Sequence, residues 1–137
     1  MENSLENKIK VLYLDDEVIN LMSFKAIFRQ KFEVFITSDA KEAMKLIEEN
    51  NIPIVISDQR MPDMLGTEFL ENVFQKFPKT KRILLTAYSD TNDLVKAVNE
   101  CKISKYLVKP WDAILLENIL IELNDEYVFL ENLLNKD

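Results

Sequence analysis

IKVLYLDDE, residues 9–17, is an apolar run that stops abruptly at three acidic residues. The run from Ile9 to Leu14 is short and contains Val, Ile and Tyr, which favours a β-strand covered on both faces. Apolar residues at helical spacing follow from Val18 onward. A buried strand followed directly by a helix is typical of α/β proteins that contain a parallel sheet.

The same alternation of strand and helix patterns continues along the chain. The predicted strands span residues 9–14, 32–37, 54–57, 82–86 and 104–108. The predicted helices span residues 18–30, 39–50, 67–77, 89–100 and 112–135. Five βα units predict an α/β fold with one five-stranded parallel sheet, right-handed crossovers and helices on both faces.

Polar residues suit the starts of three predicted helices. Asp39 is a candidate N-cap, and Glu42 three residues later has the spacing of a capping box. Ser89 or Asp90 suits the start of the fourth helix, and Asp112 suits the start of the last one.

The composition excludes several classes of site. A length of 137 residues predicts one domain. The single Gly rules out glycine-rich phosphate loops. The absence of His rules out Ser-His-Asp and Cys-His catalysis and histidine metal sites. One Cys cannot form an internal disulfide or a thiolate zinc site, which fits a reducing compartment.

The charge balance bears on partners and location. The chain has 17 basic and 24 acidic residues, which gives a net charge of −7. An acidic domain is a poor direct binder of DNA or of anionic membranes. The first ten residues lack an apolar signal core, and no run approaches the length of a membrane span. We therefore expect a cytoplasmic protein with no direct contact to nucleic acid or membrane.

Chemically useful side chains stand where the predicted strands end. Asp15 and Asp16 follow the first strand, Asp58 the third, Thr86 ends the fourth and Lys109 follows the fifth. These ends meet at one edge of a parallel sheet, where α/β proteins place their functional crevice. Each residue alone is ordinarily a cap, turn or surface residue. The combination is what indicates a site.

Three carboxylates at one edge repel each other unless a cation is held between them. Mg²⁺ prefers carboxylates, waters and phosphate oxygens, so it is the expected ion. Phosphoryl transfer to an aspartate needs an in-line carboxylate, a metal and donors for the phosphoryl oxygens. Thr86 and Lys109 supply such donors.

Four motifs resemble the receiver domain of two-component response regulators. They are Leu14–Glu17 (LDDE), residues 57–66 (SDQRMPDMLG), residues 85–87 (LTA) and residues 109–112 (KPWD). The resemblance covers residues 8–123 and implies a flavodoxin-like fold with strand order 2-1-3-4-5. The DQRMP and KPWD motifs resemble those of receiver domains that precede HD-GYP phosphodiesterases or other effectors. In that subtype a Gly commonly follows Met-Pro, but here the residue is Asp63.

The resemblance also implies roles for the acidic residues. Asp58 is the implied phosphoacceptor. Asp16 is the implied direct Mg²⁺ ligand, Asp15 assists through a bound water, and the carbonyl oxygen of Arg60 completes the metal site together with Asp58. Mn²⁺ is a possible substitute for Mg²⁺.

Further residues are implied to read out the phosphorylated state. Thr86 and Lys109 bind phosphoryl oxygens, and the Lys109–Pro110 peptide bond is cis. Tyr106 stands at the position of the switch aromatic, with plain strand packing as the alternative. Phosphorylation then changes the surface formed by the fourth helix, the fifth strand and the last helix.

The implied partner is a sensor histidine kinase or a phosphotransfer protein, which supplies the His that this chain lacks. The implied protein is a switch that takes and loses its own phosphoryl group and is not a turnover enzyme.

The last helix is longer than the sheet requires, and residues 124–137 form a predicted extension. A heptad seam of six apolar residues follows it: Leu116, Leu120, Leu123, Tyr127, Leu130 and Leu134. The seam favours a homodimer or a link to an absent output domain. The alternative is an amphipathic helix folded onto its own domain.

Three other functions remain open from the residues. A Mg²⁺-dependent phosphohydrolase would need Asp-x-Asp-x-Thr after the first strand, but Ile19 stands where the Thr belongs. An FMN carrier would need a hydroxyl-rich loop there. A docking module that never takes phosphate would not need the complete set of acidic, Thr and Lys residues.

Overall fold

The computed structural model describes residues 8–87, 91–100 and 102–135. The strands are β1 (Ile9–Leu14), β2 (Phe32–Thr37), β3 (Ile54–Asp58), β4 (Lys81–Thr86) and β5 (Lys105–Val108). The helices are α1 (Val18–Phe28), α2 (Ala40–Asn50), α3 (Gly66–Lys76), α4 (Thr91–Glu100) and α5 (Ala113–Leu134).

All strand pairings are parallel, and the sheet order is β2-β1-β3-β4-β5. This confirms the predicted topology, and the predicted bounds differ by at most two residues. One difference matters for the site, because Asp58 is the last residue of β3 and not the first residue after it. Its backbone is therefore held in the sheet, opposite Leu85 of β4.

The residues of β1 alternate between two cores, one on each face of the sheet. Val11 and Tyr13 belong to the core beneath α1 and α5, whereas Leu12 and Leu14 belong to the core beneath α2 and α3. All four side chains are buried. This double coverage explains why the run from Ile9 to Leu14 is apolar on both faces.

Helix capping follows the prediction only in part. The Asp112 carboxylate accepts hydrogen bonds from the backbone N–H groups of Ile114 and Leu115, so the N-cap of α5 is confirmed. Asp39 likewise caps α2. The capping box is wrong, since the Glu42 carboxylate accepts from the Thr37 hydroxyl at 2.5 Å and not from the Asp39 backbone. Ser89 and Asp90 lie outside the described residues.

The last helix packs on its own domain over its first half. The first three residues of the heptad seam, Leu116, Leu120 and Leu123, are buried in the core of this domain. They are therefore not available to a partner. Beyond Leu123 the helix continues unbroken, and two ion pairs join it to the loop before β4 and to β4 itself.

Those ion pairs hold the extension against the amino end of the sheet. Lys81 lies 3.1 Å from Glu126, and Lys79 lies 2.6 Å from Glu131. The fold-back onto the domain, which the sequence left as the alternative to a partner seam, is therefore present at these turns. The end of the described helix presents exposed apolar side chains, and residues 136 and 137 lie outside the described part.

Within the described ranges, no helix combines the length and the hydropathy that a membrane crossing requires.

Candidate functional site

The carboxyl end of the sheet brings together the acidic residues that the sequence singled out. Asp15 and Asp16 follow β1, and Asp58 ends β3. Each offers one carboxylate oxygen, and these three oxygens lie within 4.8 Å of one another. Asp15 and Asp58 are buried, whereas Asp16 is exposed.

The Lys109 ammonium lies against this cluster. Its Nζ lies 2.5 Å from Asp58 Oδ1 and 4.0 Å from Asp15 Oδ2. The Lys109–Pro110 peptide bond is cis, as expected. The Lys109 backbone N–H donates to the carbonyl oxygen of Thr86 at 2.8 Å, which keeps the two residues together. The Thr86 side chain is buried at the end of β4.

Asp58 sits in an environment that opposes its negative charge. Burial raises the pKa of the Asp58 carboxyl above its ordinary value, and the neighbouring Asp15 raises it further. The Lys109 ammonium and the backbone N–H of Arg60 both bind the carboxylate and lower the pKa in part. Added positive charge is therefore favoured here, and the donor set of carboxylate oxygens fits a hard divalent cation such as Mg²⁺.

Asp15 is held by residues that the sequence interpretation did not include. The Tyr13 hydroxyl donates to Asp15 Oδ2 at 2.5 Å, and the Asn20 amide donates to the same oxygen at 3.1 Å. The backbone N–H of Glu17 donates to Oδ1 at 3.0 Å. Burial and the nearby carboxylates raise the pKa of Tyr13, so its hydroxyl keeps its proton. From the sequence alone, Tyr13 was interpreted only as part of the apolar run of the first strand.

Gly66 allows the start of α3 to pack closely against the backbone at the end of β3. A Cβ on Gly66 would collide with the carbonyl oxygen of Asp58. The Gly66 N–H donates to the carbonyl oxygen of Gln59 at 2.9 Å, and the Gln59 side chain accepts from the Thr67 N–H at 2.9 Å. The only Gly therefore serves a close approach of two backbones, which fixes the end of β3.

The family model for the response regulator receiver domain matches residues 11–121. This chain belongs to that family. As a receiver domain of two-component response regulators, it takes part in phosphorylation-dependent signalling.

Two curated relatives of the receiver domain differ in length. A probable chemotaxis protein CheY from Rhizobium etli is 36% identical over 113 residues, which covers 79% of this chain and 86% of the relative. The hydrogenase transcriptional regulatory protein HoxA from Cupriavidus necator is 34% identical over 106 residues, which covers 77% of this chain and 22% of HoxA. The chain thus spans a minor part of that transcriptional regulator.

One solved structure is similar to this chain and is itself the receiver domain of an HD domain-containing protein, the subtype that the sequence motifs resemble. The signal receiver domain of an HD domain-containing protein from Pseudomonas fluorescens Pf-5 has a TM-score of 0.80 to this receiver domain at 30% sequence identity. The alignment covers 88% of this chain and 98% of that chain.

The remaining residues singled out by the sequence lie around the cluster. The Arg60 side chain is exposed, and its backbone N–H reaches the Asp58 carboxylate. Tyr106 of β5 is 37% exposed, so its ring is neither buried in the core nor fully in solvent.

Proposed function

We propose that this receiver domain is a switch in which Asp58 accepts a phosphoryl group from a histidine kinase or a phosphotransfer protein in the presence of Mg²⁺. The observation that carries the proposal is the convergence of three carboxylate oxygens within 4.8 Å, with the Lys109 ammonium 2.5 Å from Asp58. Lys109 offsets only part of the charge of these three carboxylates, whereas a cation and a phosphoryl group would use all of these side chains.

The residues that would hold Mg²⁺ are Asp16 and Asp58 directly, Asp15 through a water, and the Arg60 carbonyl oxygen. Only oxygen ligands are involved, so Mn²⁺ can substitute. When bound, the ion would neutralise charge between the attacking carboxylate and the incoming phosphoryl oxygens.

The chain's own residues divide the chemistry between them. The Asp58 carboxylate is the nucleophile, and the Lys109 ammonium keeps it ionised in a buried place. Its oxygen forms a bond to phosphorus while the bond from phosphorus to the donor's imidazole nitrogen breaks, and the nitrogen keeps the electron pair. Lys109 then pairs with a phosphoryl oxygen, and the Thr86 hydroxyl donates to another.

The phosphorylated state would be read at the surface of α4, β5 and α5. The acyl phosphate adds charge and acceptor oxygens, which would draw Thr86 toward the site. Tyr106, on the neighbouring strand β5 and 37% exposed, would turn inward as Thr86 moves. These movements would shift the equilibrium between two conformations of the α4, β5 and α5 surface and so change partner binding or dimerisation.

An exposed apolar patch on α1, the helix that follows Asp15 and Asp16, supports a protein donor. Val18, Ile19 and Met22 of α1 are 61%, 78% and 62% exposed, and α1 begins two residues after Asp16. Apolar groups of this size are commonly covered by a partner. A kinase or phosphotransfer protein that covers α1 would bring its phosphorylated His to Asp58.

A homodimer would use only the end of α5. Phe129, Leu133 and Leu134 are 65%, 55% and 63% exposed, whereas the earlier seam leucines are buried in the domain. The assembly is tested by sedimentation of the protein with and without phosphodonor.

We further propose that the domain serves an effector, as in HoxA, and acts neither on nucleic acid directly nor as a turnover enzyme.

The phosphorylation step is tested by intact-mass spectrometry after incubation with Mg²⁺ and acetyl phosphate. The wild type is expected to gain one acid-labile phosphoryl group, and chelation of divalent cations should prevent the gain. Asp58→Asn should show no gain. Asp63→Asn, an exposed carboxylate in the following loop, is the matched control and should behave as the wild type.

Each competing function has its own outcome. A phosphohydrolase would turn over a phosphate ester even with Asp58→Asn, an FMN carrier would purify as a yellow protein, and a pure docking module would take no phosphoryl group at all. Any of these results would contradict the proposed switch.

A further inference from the structure

Asp15 is anchored by the side chain of Tyr13, which lies two residues earlier in β1. The Tyr13 hydroxyl donates to Asp15 Oδ2 at 2.5 Å, and the Asn20 amide of α1 donates to the same oxygen at 3.1 Å. The Tyr13 side chain is buried, and its ring centroid lies 4.9 Å from that of Phe24. The hydroxyl is therefore a donor that the core holds in one place.

These contacts nearly exhaust the acceptor capacity of the carboxylate. Each carboxylate oxygen offers about two lone-pair directions. Oδ2 uses both, for Tyr13 and Asn20, while Oδ1 uses one for the backbone N–H of Glu17. Within the described contacts, one direction on Oδ1 is left. The three donors thus fix the orientation of the Asp15 carboxylate.

We propose that Tyr13 is a positioning residue that sets the Mg²⁺ affinity of the acidic cluster by holding Asp15 Oδ2 apart from Lys109. The inference rests on the proposed Mg²⁺ site. Residues that orient metal-binding side chains commonly control metal affinity as strongly as weak ligands do.

The position of Lys109 gives the direction of the effect. Asp15 Oδ2 lies 4.0 Å from Lys109 Nζ, just beyond a hydrogen bond. Without the Tyr13 hydroxyl, Oδ2 regains a partner by moving toward this ammonium. The cation must then break that new pair before it can bind. Loss of the hydroxyl therefore weakens Mg²⁺ binding.

The test is calorimetric titration of Mg²⁺ into the full chain. Tyr13→Phe keeps the buried ring and removes only the hydroxyl, and we expect its Mg²⁺ dissociation constant to rise about tenfold. Tyr127→Phe removes a hydroxyl at the opposite end of the sheet and should leave the constant unchanged. Thermal melting of both variants shows whether each is folded at the titration temperature.

A double-mutant cycle separates positioning from a general structural effect. If Tyr13 acts through Asp15, then Tyr13→Phe has no further effect on Mg²⁺ affinity in an Asp15→Asn background. A folded Tyr13→Phe protein that binds Mg²⁺ within about twofold of the wild type would overturn the inference. So would an equal loss in both backgrounds. A wild type that binds no Mg²⁺ would overturn the proposed function as well, so the two failures are distinguishable.

Discussion

At the amino end of the sheet a buried Arg82 is surrounded by acceptors, whereas at the carboxyl end a buried Asp58 is surrounded by other carboxylates and one ammonium. The Arg82 guanidinium donates to the carbonyl oxygens of Lys102 at 2.7 Å, of Pro78 at 3.2 Å and of Thr80. It also lies 4.9 Å from the centroid of the Phe74 ring.

The difference lies in how completely each buried charge is compensated. The described donors of Arg82 meet three backbone carbonyl oxygens from two loops, so the charge can stay in place although burial lowers its pKa. Asp58 has one ammonium at 2.5 Å but also Asp15 close by, and the balance raises its pKa. The buried charge at the amino end is therefore well compensated, whereas the buried charge at the carboxyl end carries a cost in stability that the proposed phosphoacceptor role would explain.

The largest effect is expected from breaking the amino end. Arg82→Met should lower the free energy of unfolding by about 3 kcal/mol, because it leaves buried carbonyl oxygens without their charged donor. Urea denaturation measures the change, and Arg29→Met, an exposed arginine, is the matched control. A loss no larger than that of the control would mean that Arg82 is not the anchor of this end.

The carboxyl end should respond in the opposite direction. Asp58→Asn removes a buried charge whose pKa is raised, so without divalent cations it should increase the free energy of unfolding by about 1 kcal/mol at neutral pH. Asp63→Asn should have no such effect. Equal or lower stability of Asp58→Asn would show that Lys109 compensates Asp58 fully.

The pH dependence of that gain sharpens the comparison. A carboxyl whose pKa is raised in the folded state carries its stability cost only when it is ionised. Below the ordinary value of 3.8 it is protonated in both states. The advantage of Asp58→Asn should therefore be largest at neutral pH and shrink as the pH falls through the raised pKa. An advantage that grows toward low pH contradicts this assignment.

The smallest effect is expected at the exposed ion pairs of the amino end. The hydrogen bond from Lys79 lowers the pKa of Glu131, and the two charged atoms lie 2.6 Å apart. Because both side chains are partly exposed, Glu131→Gln should lower the free energy of unfolding by only about 0.5 kcal/mol. The loss should decline in concentrated salt. A salt-independent loss would indicate packing and not charge.

Much of the fold was predictable because local and long-range signals agree. The apolar run from Ile9 to Leu14 and the acids that follow it predict both a central strand and its functional end. The strand-end rule then brings Asp58 and Lys109 to the same edge, and the structure has them 2.5 Å apart.

The parts that sequence reasoning missed depend on which side chain meets which across the fold. A period of two places Tyr13 inside the core but says nothing of a hydroxyl that reaches Asp15. The acceptors of Arg82 come from two separate loops, which no spacing reveals. The heptad seam was ambiguous because the face that packs on the domain has the same spacing as a face that packs on a partner.

The most direct test of the account is to locate the phosphoryl group chemically. After incubation with Mg²⁺ and acetyl phosphate, borohydride reduces an aspartyl phosphate to homoserine, and peptide mass spectrometry finds the converted residue. The account predicts conversion at position 58, which Asp58→Asn abolishes and Asp63→Asn leaves intact. Conversion at Asp15 or Asp16, or no conversion at all, would contradict it.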